Sequence, residues 1–313
     1  MKKHKICKIL LVILAILLCV AFYELLGICI AYKKQPEVSN TTQKETKNGS
    51  WNECSENTER AVIIEKNPEA LLQRVRLIQN AKEEIILSTF AFKSDESGKL
   101  ILGALHDAAD RGVHIRLLVD GMESWIDMEG NPYFYGLSSH ENVEIKLYNK
   151  ANPLKPWKMM GRMHDKYLIA DGKTYILGGR NTYNYFLGDF PGHKNYDRDV
   201  LVVCNEPEKE NSVNQLLDYF ETIWDQEDSG YFHNNKKLAN RKSVKNAVLE
   251  LQNGYQKYFE ENKERICDTD YTDETFETEK IALVSNPTHT GSKEPVVWYQ
   301  LGELMKNAKN RVK

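Results

Sequence analysis

The stretch "HDKYLIADGKTYILGGRN", residues 164–181, decides the fold class that we predict for this chain. Two apolar runs, "KYLIA" and "KTYILG", flank Asp171 and Gly172. A two-residue Asp-Gly loop is typical of a β-hairpin, because glycine tolerates a positive φ at the turn. The stretch therefore predicts two adjacent antiparallel strands, although an ordinary surface hairpin with incidental polar residues would have the same outline.

The polar residues of this stretch are those that a phosphate site needs. His164 and Lys166 are two positions apart on the incoming strand, so both side chains point to the same face. An ammonium can neutralise a phosphate oxygen, while an imidazole can attack phosphorus or deliver a proton near neutral pH. The lysine also favours a neutral imidazole beside it. Gly178 and Gly179 would let the backbone approach a phosphate, and Asn181 offers an amide donor.

The segments around the hairpin predict an α/β domain. Buried strands are expected at 84–92, 113–121, 143–149 and 199–204, and amphipathic helices at 98–112 and 211–226. Asn67 followed by Pro68 predicts a helix start with Asn67 as the N-cap. The order strand, helix, strand favours parallel pairing under a layer of helices, to which the hairpin adds antiparallel strands.

The N-terminus predicts a membrane anchor. Residues 9–32 are apolar apart from Glu24, and as a helix these 24 positions would measure about 36 Å, enough to cross a hydrocarbon core. A cleaved signal peptide would be shorter and would carry an A-x-A-like site, which is not evident. Lysines are denser in residues 1–8 than at Lys33 and Lys34, so we expect a cytoplasmic N-terminus and a domain on the outer side of a cell membrane.

The rest of the chain divides by composition. We predict a polar tether, a first α/β half with the hairpin, a connector with a long exposed helix and an acidic stretch, and the beginning of a second half: 33–58, 59–227, 228–279 and 280–313. The restart consists of a strand at 280–287 and a helix at 296–313 that echoes residues 71–85. A second hairpin motif would lie beyond residue 313, so we expect a truncated protein or a fragment of a longer one.

Charge and cysteine content narrow the classes of partner. The formal net charge of −3 gives no basic excess, so nucleic acid is not expected as the main partner. The segment "NPLKPWKMMGR" (152–162) mixes basic, aromatic and methionine side chains, a composition that suits either an anionic membrane surface or an ordinary exposed loop. Outside the anchor, Cys54, Cys204 and Cys267 could form one disulfide or remain free thiols, and they lack metal-ligand spacing.

The complete pattern, H-x-K-x4-D-x6-G-G-x-N, specifies six residues at fixed spacing, which makes a chance match very improbable. It resembles the HKD motif of the phospholipase D superfamily, and "GGRN…YF…YDRDVLV…FETIW" resembles the bacterial cardiolipin synthase-like branch. The resemblance implies a phospholipase D-like mixed sheet flanked by helices, with two such halves sharing one site. It also implies a phosphohistidine intermediate and chemistry without a metal or other cofactor.

The resemblance also assigns roles to residues. It implies that His164 is the nucleophile, that Lys166, Gly179 and Asn181 bind the phosphate, and that Asp171 completes the catalytic motif. Asp197 would orient the histidine, with Asp199 as the alternative, although both could equally be surface charges. The second motif would have to come from a longer chain or from a dimer.

Three functions remain open at this stage. The first is a membrane-anchored phosphatidyltransferase or phospholipase acting on a phosphatidylglycerol-like lipid, as in cardiolipin synthesis, because an anchored site meets lipid at high effective concentration. The second is a phospholipase D-like nuclease, which would require a basic cleft. The third is an inactive, truncated membrane protein.

Overall fold

The computed structural model describes residues 2–49, 59–206, 211–233, 235–279 and 281–309. The strands are β1 Glu59–Ile64, β2 Glu84–Thr89, β3 His114–Asp120, β4 Val143–Tyr148, β5 Lys166–Ala170, β6 Thr174–Gly178, β7 Asp199–Cys204, β8 Ser229–Tyr231 and β9 Phe276–Glu277. The helices are α1 Lys2–Ala31, α2 Asn40–Asn48, α3 Asn67–Asn80, α4 Glu96–Asp110, α5 Gly121–Asp127, α6 Pro132–Ser138, α7 Ser212–Trp224, α8 Lys242–Ile266 and α9 Val296–Asn307. Short 3₁₀ helices lie at Pro156–Lys158 and Lys236–Asn240.

All strands of the described residues join one mixed sheet. The spatial order is β8-β4-β3-β2-β5-β6-β7-β1-β9. The neighbours β2, β3 and β4 are parallel, and every other pairing is antiparallel. The predicted mixed α/β sheet is therefore confirmed, and the central strands read as apolar runs because both faces of the sheet are covered.

Helices bury both faces of this sheet. One core joins inward residues of the sheet with α3, α4, α6 and α8. The other core, which contains Tyr167, Ile169 and Tyr175, is covered by α7. Successive strand residues point to opposite faces, so Leu168 lies in the first core and Ile169 in the second. The hairpin thus belongs to the interior and is not a surface hairpin.

The turn of the hairpin differs from the prediction by one residue. Ala170 lies opposite Thr174, so the loop holds three residues and includes Lys173, where we predicted a two-residue loop. Asp171 and Gly172 have φ values of 52° and 59°, both in the left-handed region. The Asp-Gly pair therefore makes the turn, as expected, because asparagine-like residues and glycine tolerate this region best.

Helix α3 begins as Pro68 indicates but is capped differently. The N-cap position is Lys66, which makes no capping hydrogen bond through its side chain. Asn67 is buried, and its Nδ2 donates to the carbonyl oxygen of Asn195 over 2.8 Å while its Oδ1 accepts from Arg180 over 3.1 Å. The prediction of Asn67 as the N-cap was wrong, because this amide joins two distant loops instead.

The predicted connector, 228–279, is part of the same compact body. Helix α8 is not simply exposed, since Leu251 and Tyr255 are buried against the first core. A Cβ atom at Gly103 of α4 would lie 2.7 Å from the carbonyl oxygen of Leu251, so glycine permits the close approach of α4 and α8. Strands β8 and β9 pair with β4 and β1. The segment therefore completes the domain.

The chain divides into two compact units. The larger contains the sheet, residues 52–150 and 163–283, and the smaller contains residues 1–51, 151–162 and 284–313. In the smaller unit α1 and α9 are helical as predicted, and α2 lies within the predicted tether, of which residues 50–58 fall outside the described part. No strand forms within 281–287, contrary to the prediction for 280–287, so the described residues show no restart of a sheet there.

Two sequence predictions concern groups in both units. Among the described residues, one helix, spanning His4–Ala31, is long and apolar enough to cross a membrane. Within the described residues Cys204 and Cys267 form no disulfide, Cys204 being buried and Cys267 exposed, whereas Cys54 lies outside the described residues.

Candidate active site

The ends of four adjacent strands meet at one edge of the sheet. Thr89 at the end of β2 lies opposite Lys166 at the start of β5, and Gly178 at the end of β6 lies opposite Asp199 at the start of β7. Because each of these strands is antiparallel to the next, an end of one meets a beginning of its neighbour. Residues that are far apart in the chain therefore form one row.

His164 and Lys166 meet on the ring of Phe90. The centroids of the His164 and Phe90 rings are 4.6 Å apart, and the Lys166 Nζ lies 5.2 Å from the centroid of the same ring. His164 precedes β5 instead of lying within it, yet the two side chains share a face as predicted. The imidazole is exposed, whereas Lys166 is only 5% exposed. A ligand can thus reach the imidazole, and the ammonium lies deeper in the protein beside the same ring.

The environment of Lys166 weakens its hold on a proton. Burial lowers the pKa of the Lys166 ammonium to about 8, against the smaller, raising effects of the Asp165 and Asp197 carboxylates. Its Nζ donates a hydrogen bond to the carbonyl oxygen of His164 over 2.6 Å. A nearly buried ammonium with little compensation gains strongly from an incoming anion. Lys166 is therefore an electrostatic anchor for a negatively charged ligand.

Asn181 is attached to the segment that carries Phe90. Its Oδ1 accepts a hydrogen bond from the backbone N–H of Ala91 over 3.1 Å, and the residue is 7% exposed. Thr182 continues this contact, because its N–H donates to the carbonyl oxygen of Ala91. The Asn181 Nδ2 group makes no hydrogen bond with the residues that the structure describes, so it remains an amide donor.

Gly178 and Gly179 each lie against a carboxylate of the protein. A Cβ atom at Gly179 would lie 2.1 Å from the Asp197 Oδ2, and one at Gly178 would lie 2.1 Å from the Asp199 Oδ1. Such distances are far below van der Waals contact, so both positions require glycine. The space at these glycines is occupied by carboxylates. Gly179 therefore makes room for the Asp197 carboxylate, and its direct contact with a phosphate stays a prediction.

Asp199 is an interior counter-ion of two arginines. Its Oδ2 lies 2.9 Å from the Arg74 Nη1 and 3.2 Å from the Arg180 Nη1, and all three side chains are buried. Buried arginines require such a partner, because an unpaired charge in the interior is very costly. Of the two carboxylates that could orient His164, Asp199 is thus paired with two arginines. Asp197 is half-buried and close enough to act on the pKa of Lys166.

The family follows from a comparison with known proteins. Residues 74–224 match the family model described as "Cardiolipin synthase, PLD-like domain". Residues 74–224 form a phospholipase D-like domain. This stretch of the phospholipase D-like domain runs from within α3 to the end of α7 and includes every residue of the candidate site.

Relatives of the domain include an uncharacterized protein of Helicobacter pylori strain J99, 30% identical over 212 residues, which cover 63% of this chain and 39% of that protein. Cardiolipin synthase C of Escherichia coli K12 is 29% identical over 154 residues, 45% of this chain and 31% of that enzyme. A solved structure of phosphatidylserine synthase from Haemophilus influenzae Rd KW20 is similar at a TM-score of 0.46 and 15% identity, covering 79% of this chain and 52% of that one. The chain thus spans less than half the length of these two relatives.

Asp171 lies at the other end of the domain's hairpin. Five residues of β5 separate it from the site, a length of about 17 Å at the usual rise of a strand. Its carboxylate accepts hydrogen bonds from the three successive backbone N–H groups of residues 82–84, at 2.8 to 3.2 Å. The structure therefore does not bring Asp171 together with His164 and Lys166: the aspartate ties the hairpin turn to the start of β2.

Sequence reasoning missed two features of the domain. Phe90 contacts both His164 and Lys166, and its only signal was its place in the apolar run 84–92, which we predicted as a single strand. Asp165, which points away from His164, accepts a hydrogen bond from the Tyr219 hydroxyl over 2.8 Å. Burial, followed by the effect of Asp165, raises the pKa of Tyr219 well above its usual value, so this phenol stays a hydrogen-bond donor that holds Asp165 in place.

Proposed function

We propose that the chain is a membrane-anchored phospholipase D-like phosphodiesterase or phosphatidyltransferase that acts on phospholipids. The observation that carries this proposal is the exposed His164 imidazole beside the nearly buried Lys166 ammonium on one aromatic ring. A phosphodiester fits this pair, because the ammonium gains from the negative charge and the imidazole can reach phosphorus. The match to a cardiolipin synthase-type domain supports a lipid substrate of the phosphatidylglycerol type.

The proposed chemistry has two steps. In the first, a ring nitrogen of His164 forms a bond to phosphorus, the bond from phosphorus to the leaving oxygen breaks, and that oxygen takes up a proton. In the second, an alcohol or water oxygen attacks phosphorus, loses its proton to a base, and breaks the nitrogen–phosphorus bond. We propose that the proton donor and acceptor come from a second half-site, supplied by a further segment or a second copy of the chain.

Within this scheme each remaining group has one task. Lys166 holds a non-bridging oxygen, and the free amide of Asn181 donates to another. Asp197 keeps Lys166 charged and is the remaining candidate to orient His164. Helix α1 holds the domain at the bilayer, and the lysines that precede it favour a cytoplasmic N-terminus with the domain outside.

The test uses purified full-length protein in phosphatidylglycerol vesicles. We expect lipid turnover, together with a ³²P label on histidine from a phosphate-labelled lipid, and we expect His164→Ala to abolish both. A matched control is His114→Ala, because His114 is exposed at the opposite edge of the same sheet. Unchanged turnover in His164→Ala would overturn the assignment. Cleavage of nucleic acid at low salt without lipid turnover would point to a nuclease instead.

A further inference from the structure

We propose that the 151–162 loop is a membrane-interfacial element that docks on the last turns of α1 and binds anionic lipid. This inference rests on the proposed function for the role of α1 as a membrane span. The loop carries three basic residues and no acidic one, and it lies in the same compact unit as α1. Its contacts, exposure and charge are independent of the chemistry at His164.

Two contacts fasten the loop along the end of α1. The Tyr23 hydroxyl donates to the carbonyl oxygen of Leu154 over 3.1 Å. At Gly27, one turn later, a Cβ atom would lie 2.5 Å from the Pro156 Cγ, so the proline ring rests directly on the helix backbone. The only glycine of α1 is therefore placed where the loop needs it.

The far end of the loop is held just beyond the helix. The Tyr32 hydroxyl donates to the carbonyl oxygen of Thr290 over 2.8 Å. A Cβ atom at Gly161 would lie 2.3 Å from the same carbonyl oxygen, so Gly161 packs closely on Thr290. The loop consequently runs along α1, with Leu154 deepest and Gly161 at the end of the helix.

Glu24 supports the same arrangement from the helix side. It lies three residues before Gly27 and so on the same face of α1. Both of its carboxylate oxygens are enclosed, without a hydrogen-bond partner among the described residues. A lipid-facing carboxylate within a membrane span would be costly. A helix that presents this face to protein avoids that exposure, which explains the single charge in the apolar segment.

The depth of the loop follows from the rise of the helix. Tyr23 lies eight residues before the end of α1, about 12 Å along the axis, and Gly27 lies four residues before it, about 6 Å. Leu154 and Trp157, at these levels, are 76% and 46% exposed. Interfacial elements bury their apolar side chains about 5–10 Å into the boundary between headgroups and acyl chains. The exposed apolar groups of the loop therefore stand at the depth where lipid would cover them.

Basic side chains complete the match to an anionic interface. Lys155 is exposed next to Leu154, and its long stem can bring the ammonium out to the lipid phosphates. Arg162 follows at the outer end of the loop. Because Met163 alone separates Arg162 from His164, the chain keeps these residues within about 7 Å of each other.

The test measures the depth of Trp157 in the full-length protein. The Trp157 signal is the part of the fluorescence that Trp157→Phe removes. In vesicles of phosphatidylglycerol mixed with lipids brominated near the headgroup, we expect this part of the fluorescence to be quenched. The matched control is Trp125→Phe, since Trp125 is 69% exposed on α5 and is not part of the loop. Gly27→Leu keeps α1 apolar but displaces Pro156, and it should abolish the quenching of Trp157. Ala21→Leu, on an exposed part of α1, should leave the quenching unchanged.

Turnover separates this inference from the proposed function. Trp157→Ala should lower turnover of vesicle lipid by about tenfold, the effect of withdrawing one large apolar side chain, and leave turnover of monomeric short-chain phosphatidylglycerol unchanged. Quenching of Trp157 by a water-soluble quencher but not by brominated lipid overturns the docked loop. Wild-type quenching of Trp157 in Gly27→Leu overturns it as well. If the wild-type protein turns over neither lipid but Trp157 is quenched normally, the loop is intact and the result counts against the catalytic proposal only.

Discussion

The protonation state of Lys166 should control activity at alkaline pH. Burial lowers the pKa of its ammonium from 10.5 to about 8. Relative to a lysine in water, this shift destabilises the charged form by about 3 kcal/mol. The charged form must be present to hold a phosphate oxygen, so kcat/KM should fall as the pH rises through about 8. Above that pH the charged fraction drops about tenfold per pH unit, whereas an ordinary lysine would remain charged up to about pH 10.

The assay is the pH profile of kcat/KM, which reports the pKa of the free enzyme. A bis(aryl) phosphodiester is the suitable substrate, because its phenolate leaving group needs no proton. The first step, which the release of phenolate reports, therefore does not require a second half-site. Lys166→Arg should remove the alkaline decline, since a guanidinium stays charged throughout this range, although its different geometry lowers the rate. Lys173→Arg is the matched control, because Lys173 is exposed in the hairpin turn at the other end of β5.

Two results would refute this reasoning. The first is an alkaline decline in Lys166→Arg with the same midpoint as in the wild type, which would assign the titration to another group. The second is a wild-type profile that stays flat to pH 10, which would show that the ammonium is not destabilised by its surroundings.

Substitutions at four further positions test the site and the contacts that support it. Asp197→Asn removes a carboxylate that raises the pKa of Lys166, so the alkaline decline should move to lower pH; an unchanged or higher midpoint in the same assay would contradict this. In Gly179→Ala the added methyl group displaces the Asp197 carboxylate, so kcat/KM should fall strongly while the temperature of unfolding falls little. Adding Asp197→Gly should relieve the clash. Thermal unfolding and kcat/KM of the single and double variants measure both effects. Asp171→Asn should lower the free energy of unfolding by about 1–3 kcal/mol in urea titrations while leaving the pH profile in place, and a displaced profile would restore a role in the site. Asp199→Ala leaves two buried guanidinium groups unpaired and should cost about 3–5 kcal/mol of stability, so wild-type thermal unfolding of this variant would exclude the buried ion pair.

Local pattern was sufficient for much of the fold and for the centre of the site. The alternation of a strand placed His164 and Lys166 on one face, and positive φ at Asp171 and Gly172 follows from their residue types. The apolar runs of β2 to β7 and the periodicity of α4 and α7 were visible for the same reason. Each of these properties depends on residues within a few positions of one another, and periodicity reports whether a side chain faces the interior.

Periodicity does not report which distant group an interior side chain meets. Asp197 and Asp199 look alike in "YDRDV", yet the buried partner of Asp199 is Arg74, 125 residues earlier in the chain, while Asp197 is left beside Gly179. Asp171 likewise belongs to the motif by its spacing, yet its carboxylate accepts hydrogen bonds from backbone amides about 90 residues away, near the start of β2. The sequence by itself determined the paired imidazole and ammonium and the strands that present them. Only the tertiary structure decided which carboxylate stands beside them, because that choice depends on contacts between segments that the chain brings together on folding.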